Sequence, residues 1–426
     1  MYKKIIFATL LVLPFVASAQ LNRIMNRAKA RIDNRIDNKI DREIDKKLDE
    51  VEGKEKNSEA TPSSKTDNQG NEPAKKETVK GYSRFDFVPG ERIIYAEDFA
   101  QDAIGELPLT WNSSGKGEVM TLDQYQGKWL RVYENNTYLS GNQKKFGENY
   151  TIEFDLMYYF DPKVTGYVLP NWSFGILSSE DMDPTDNKFL SDQVGIANAE
   201  VRFAFGSNSG AYFESYTKRR ATFNSDRMEV GNMVPNFNKV LHYSIQVQKT
   251  RFRLWVNDKK IFDIPRAINT TDTMNQVYFQ MEGSNYPADE IGLFVSNIKI
   301  ATGLPDTRHK LVEEGKFSTT GILFAVNEAT IKPESNGVLK EVAEAIKANP
   351  GMKVKIIGHT DSDGSDAANL ELSKKRAEAV KSALEKDFGI DGAQLQTDGK
   401  GETQPMGDNK SKEGKAQNRR VEFIKI

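Results

Sequence analysis

The stretch Gly358-His359-Thr360-Asp361-Ser362-Asp363-Gly364, followed by Asn369, Leu372-Ser373 and Arg376-Ala377, decides how the C-terminal quarter of this chain is read. The run Val354-Lys355-Ile356-Ile357 ahead of it reads as a strand, so Asp361 stands where that strand ends. Asp366 to Phe388 reads as a long helix with Leu370, Ala377, Val380 and Leu384 as its buried line. Asn369 and Arg376 are seven residues apart, within about 20° of one helix meridian, at the flank of that line. Asp361 can accept hydrogen bonds from an ammonium, and Arg376 can grip a carboxylate in bidentate fashion. Together they suit a group carrying both charges on one carbon. The chemistry read here is binding rather than catalysis.

Around this stretch, residues 317–426 alternate regularly. Ile322 to Val326 reads as a strand, and Pro333 can open a helix with Val338, Leu339, Val342, Ala345 and Ile346 as its apolar seam. Asn349-Pro350-Gly351 ends that helix. Leu395 to Thr397 and Val421 to Ile426 supply further strands. The expected architecture is a compact α+β sandwich with helices on one face of its sheet. Residues 304–316 form a connector to what precedes it.

Residues 83–303 have a different texture, with short alternating apolar runs between turn residues. Lys128 to Tyr133, Thr151 to Leu156, Val201 to Phe205, Val277 to Met281 and Gly292 to Val295 all read as strands. The clearest hairpin runs from Phe252-Arg253-Leu254-Trp255-Val256 through Asn257-Asp258 to Lys260-Ile261-Phe262. This pattern predicts an all-β sandwich. A transmembrane barrel is the competitor, but runs of about five to seven residues fall short of the roughly nine to eleven a spanning strand needs.

The first 82 residues carry no such core. Residues 1–19 read as a signal peptide: Lys3-Lys4, an apolar stretch from Ile5 to Val16, and the small residues Ala17-Ser18-Ala19. Residues 20–53 form a charged helical segment that repeats units such as Arg31-Ile32-Asp33-Asn34. Each four-residue unit turns a helix by about 400°, so the Ile stripe drifts and makes no straight seam. Residues 54–82 are polar and read as a disordered linker.

The 426 residues carry 59 basic and 61 acidic groups, a net charge of −2; losing Lys3 and Lys4 leaves 57 against 61, or −4. That balance gives no reason to expect nucleic acid as a partner. With no cysteine, disulfides, thiol nucleophiles and a lipid-bearing N-terminal Cys are excluded. No transmembrane span, cofactor or metal site is expected. Asp361 to Asp366 is acid-rich, but an EF-hand loop needs Gly sixth and Glu twelfth, where Asp366 and Leu372 stand. Glu153-Phe154-Asp155-Leu156-Met157-Tyr158 begins a glycosidase pattern and lacks its last acid, so the carboxylate machinery is incomplete. His242, His309 and His359 lie far apart and suggest no triad, and His359 is expected at the pocket rim. Trp111, Trp129, Trp172 and Trp255 are expected in the core rather than stacked on sugars. No enzyme is expected.

The residues quoted at the outset resemble the signature of the OmpA-like peptidoglycan-binding domain. Flanking pieces agree: Leu323-Phe324 before Ala329-Thr330-Ile331, Gly399-Lys400-Gly401-Glu402-Thr403-Gln404-Pro405, and Asn418-Arg419-Arg420-Val421-Glu422. The resemblance implies that Asp361 and Arg376 hold the α-amino and α-carboxylate groups of diaminopimelate in the stem peptide of peptidoglycan. Thr360, Asn369 and one of Arg419 or Arg420, with Arg419 preferred, match positions lining that pocket. Asp363 departs from the pattern, since the family often has an uncharged residue there. Residues 83–303 resemble the concanavalin-like or laminin-G-like jelly rolls, through the hairpin around Leu254-Trp255-Val256-Asn257-Asp258. The resemblances imply an exported envelope protein of a Gram-negative bacterium, periplasmic or associated with the outer membrane. Peptidoglycan is the expected partner of its C-terminal domain, and a glycan or an envelope protein that of its jelly roll.

Overall fold

The computed structural model describes residues 85–426 apart from 195–196, 206–209, 231–232, 234–235, 270–272 and 305. The readings of 1–19, 20–53 and 54–82 lie outside the described residues.

Strands in chain order are β1 Arg92–Glu97, β2 Asn112–Ser113, β3 Gly117–Leu122, β4 Tyr125–Val132, β5 Asn136–Leu139, β6 Asn149–Phe160 and β7 Trp172–Ser178. Next come β8 Ala197–Ala204, β9 Gly210–Thr217, β10 Arg220–Asn224, β11 Val240–Gln248, β12 Arg251–Val256, β13 Lys259–Ile264, β14 Gln276–Met281 and β15 Ile291–Thr302. They build two sheets. The first runs β13-β12-β11-β6-β15-β4-β3, with β1 paired to the far end of β15. The second runs β10-β9-β8-β7-β14-β5-β2.

Alternation along β6 explains why the sheets stack. Ile152, Phe154, Leu156 and Tyr158 join a core shared by both sheets, while Glu153, Asp155 and Met157 belong to the other face. Phe154 stacks on Tyr243 of β11 at 5.0 Å and meets Phe174 and Phe279 of the second sheet edge-on, each at 5.2 Å. All four tryptophans are buried. The expected hairpin is present, with Asn257 at φ 51° in its turn. Strand lengths differ from expectation: β6 and β15 each have 12 residues, because their polar positions are also covered. These strands belong to two open sheets sharing a core, as a sandwich requires.

Residues 316–426 form a third sheet of order β16-β19-β17-β18, from β16 Lys316–Thr319, β17 Val354–His359, β18 Leu395–Gly401 and β19 Val421–Lys425. β17 and β18 are parallel and the other pairs antiparallel. Helix α1 is Lys188–Ser191 in the sandwich; α2 Asn336–Lys347, α3 Asp366–Lys386 and α4 Lys412–Asn418 belong to this module. A 3-10 turn beginning at Pro333 leads into α2, whose expected seam is fully buried. Ser365 caps α3 by accepting from the Ala368 N–H at 3.3 Å. Among the described residues no helix is long and apolar enough to cross a membrane.

Two readings of this module's elements need correction. Ile322 to Val326 is no strand: a tight loop closes there through Ala325 N–H to Thr330 O (3.0 Å) and Lys332 N–H to Leu323 O (2.8 Å), and β16 takes the sheet edge instead. Leu370 is exposed, because the buried line of α3 begins with Asn369 and Ser373 before Ala377, Val380 and Leu384. Helix α4 went unread; its short, polar sequence offers little apolar periodicity.

The segment ahead of β1 and the connector tie the two domains together. Val88 and Leu311 are both buried in the C-terminal core. Phe85 and Phe87 pack on Trp255 of β12. Gly337 lets α2 meet this segment, since a Cβ there would stand 2.4 Å from the Phe87 carbonyl oxygen. Lys412 of α4 reaches Glu97 Oε1 (2.6 Å) and Asp102 Oδ2 (3.0 Å) across the junction.

Candidate functional site

Gly358 and Gly399 bring α3 close to β17 and β18: a Cβ on Gly358 would lie 2.2 Å from the Ser373 carbonyl oxygen. That close packing sets the ends of β17 and the start of α3 around one cavity of about 420 Å³. Thr360, Asp361, Asn369, Arg376 and Arg419, all singled out in the sequence, line it together.

Asp361 is buried, and its carboxylate accepts from Arg419 Nη1 at 2.5 Å and from the Asp363 N–H at 3.1 Å. Asn369 works as a brace: the two hydrogens of its Nδ2 are shared among the carbonyls of Asp361 (3.2 Å) and Asp363 (3.1 Å) and Glu402 Oε2 (2.5 Å). Arg376 donates through Nε to the Glu328 carbonyl at 3.0 Å, and its guanidinium lies over the Phe324 ring at 4.8 Å. This anchoring uses one edge of the fork and leaves the terminal nitrogens for a carboxylate. Burial, then the neighbouring Arg419 cation, lower the Arg376 pKa, and Asp361 opposes them. Thr360 is buried; its N–H donates to Gly401 O at 3.0 Å, while its hydroxyl meets no hydrogen-bond partner among the described residues.

The two adjacent arginines separate cleanly. Arg419 turns to Asp361, whereas Arg420 is buried against Glu422 through Nε (3.0 Å) and Nη2 (2.8 Å). Burial would raise the Glu422 carboxyl, but His359, Lys316 and Arg420 hold it well below the usual range. His359 is not at the rim: its side chain is buried, with Nε2 3.6 Å from Glu422 Oε2. Asp363 is exposed and pairs with Lys415 Nζ at 2.6 Å.

The far wall of the cavity comes from the first sheet of the sandwich, which sequence reasoning missed. Asp98, Asp155, His242, Asn297 and Lys299 line it. His242 Nδ1 lies 2.7 Å from Asp155 Oδ1, its Nε2 lies 3.4 Å from Glu153 Oε2, and Lys299 Nζ lies 3.1 Å from Glu153 Oε1. Burial would lower the His242 pKa, yet Asp155 and Glu153 raise it to about 9. Burial would raise both carboxyls; Lys299 and His242 leave Glu153 below its ordinary value, and His242 chiefly does the same for Asp155. The only advance signal was the Glu-x-Asp spacing on β6. Nothing in it pointed to His242, which arrives through the pairing of β11 with β6.

Comparison with known proteins matches residues 323–419 to the model described as the OmpA family. The chain is 39% identical over 101 residues to outer membrane porin F of Pseudomonas aeruginosa, covering 24% of this chain and 29% of the relative. It is 43% identical over 102 residues to the probable lipoprotein YiaD of Escherichia coli, covering 24% and 46% respectively. These first relatives are thus matched over less than half their length. The outer-membrane lipoprotein YfiB of P. aeruginosa is 32% identical over 146 residues, 34% of this chain and 84% of that protein. Among solved structures, the peptidoglycan-associated lipoprotein of Burkholderia pseudomallei is 29% identical, covering 26% of this chain and 89% of that one, with a TM-score of 0.24.

Proposed function

Because this chain belongs to the OmpA family through its C-terminal module, we propose that the module binds peptidoglycan non-covalently and holds diaminopimelate of the stem peptide between Asp361 and Arg376. The carrying observation is that a buried carboxylate and a guanidinium anchored through Nε line one cavity beside a Thr360 hydroxyl that has no partner among the described residues. Asp361 takes the ammonium, Arg376 the carboxylate, and Arg419 orients Asp361 through their ion pair. The protein is then an exported envelope component that fastens its sandwich, read as a jelly roll, to the cell wall.

We read the role as binding. Glu153 and Asp155, the two acids of the incomplete glycosidase pattern, are held below their ordinary values and engaged with His242, the opposite of the raised carboxyl a general acid needs. Sacculus co-sedimentation tests the site. Asp361→Ala and Arg376→Ala should each abolish recovery with the pellet while circular dichroism stays native; undiminished recovery of both would sink the assignment.

A second reading rests on a polar groove of about 300 Å³ on the second sheet, lined by Thr137, Ser173, Glu200, Arg202 and Gln280 among others. Its linked amide, hydroxyl and charged groups suit the hydroxyls of a glycan. A glycan array probed with wild type and Arg202→Ala decides between a sandwich with its own ligand and one without.

A further inference from the structure

The sandwich wall of the cavity is unused by an assignment confined to Asp361 and Arg376, and its construction points to a ligand. Opposite β6, β15 loses register between Ser296 and Lys299, so Asn297 and Ile298 together face Phe154. Such bulges re-aim a side chain and recur beside binding sites. Asn297 adopts φ 53°, a left-handed conformation that asparagine tolerates better than most residues. Its amide is oriented by donating to Asp155 Oδ2 at 2.8 Å, yet the residue stays exposed at the cavity. Beneath it the side chains of Asp155, His242, Glu153 and Lys299 are already paired with one another. The wall therefore offers oriented polar groups on a charge-compensated base, and across from it the buried Thr360 hydroxyl meets no hydrogen-bond partner among the described residues. A cavity of about 420 Å³ falls in the range of roughly 300–1,000 Å³ that encloses a whole small ligand. One ammonium–carboxylate end group does not need that room.

We propose that the ligand is bound between the two domains: Asp361 and Arg376 take its zwitterionic end, while Asn297, with Asp98 on the same wall, contacts the peptide groups that follow. This rests on the function proposed above and adds that the sandwich itself reads the stem peptide. Ligand binding then also fastens the sandwich to the C-terminal module.

Titration calorimetry on the full chain separates the two ideas, using free meso-diaminopimelate and a stem tripeptide that contains it. Wild type should bind the tripeptide more tightly than the free amino acid. Asn297→Gly, which keeps the backbone conformation, should weaken the tripeptide about fivefold, as the loss of one hydrogen bond predicts, and leave the amino acid unchanged. Asp98→Asn should act in the same direction. If both variants bind the tripeptide as wild type does, the sandwich wall is no contact and the inference is overturned. If wild type binds neither compound, the diaminopimelate reading itself fails and takes this one with it.

Discussion

His242 shows what a single residue gains from its neighbours across a sheet. In the sequence it stands 87 positions from Asp155, and no local pattern joins them; the β6–β11 register makes them direct partners. Asp361, Asn369 and Arg376 were legible because one strand end and one helix carry all three within 16 positions. The choice between Arg419 and Arg420 was open because both lie in the short turn between α4 and β19, where no periodicity says which way either side chain leans. A pH dependence follows from His242. Its folded pKa, about 9, lies above the ordinary 6.5, so its stabilising contribution is complete below about pH 6.5 and is lost as pH rises through 9. Urea midpoints should therefore fall between pH 7 and 9.5 in wild type, against a flatter profile in His242→Gln. The groups facing the ring, Glu153 and Asp155, do not reverse this sign: both carboxyls are held below their ordinary values, so they stay ionised through that range. Equal slopes in the two proteins would remove His242 from the account.

At the scale of elements, long periodic segments were readable and short or irregular ones were not. Helices α2 and α3 announce themselves through apolar spacing, with Pro333 opening the first and Ser365 capping the second. The loop at 322–332 misled because its apolar residues fill a core without joining a ladder: Ile322 is buried, and Phe324 makes a lone bridge to Ile331. Asn369 was placed beside the buried line and proves part of it, since an amide that braces three acceptors can be buried at little cost. The contact of α3 with β17 is where an element-level change reaches the site. Gly358→Ala puts a methyl 2.2 Å from the Ser373 carbonyl, so α3 must lift and carry Asn369 and Arg376 with it. A loss of about 1–3 kcal/mol in chemical denaturation is expected, the usual cost of overpacking, with weakened sacculus binding. Full stability with full binding would show that the helix has slack.

At the scale of the whole molecule, the first two sheets draw their strands from residues 92–302 and the third from 316–425, where the sequence was read as dividing near residue 303. What it hid is the lacing between the parts, which joins residues hundreds of positions apart: Lys412 with Glu97, Gln417 with Ile93, and Lys310 with Glu91. The placement of Val88 in the C-terminal core has a mechanical meaning. Tension applied between residue 85 and the C-terminal module first loads the packing of Phe85 and Phe87 on Trp255. Once that parts, it enters the module through Val88 and the Phe87–Gly337 contact, so most of the sandwich lies beside the line of load. Should that grip slip, Arg92 and Thr302 are paired at one end of the antiparallel β1–β15 ladder, and pulling there peels bonds singly instead of shearing them together. In an optical trap gripping residue 85 and the C-terminus, release of Val88 and peeling of β1 should precede any extension from the other sandwich strands. A first event as long as the whole sandwich would contradict this load path. By this route a pull is taken up at Val88 and β1 before it reaches the remaining strands of the sandwich.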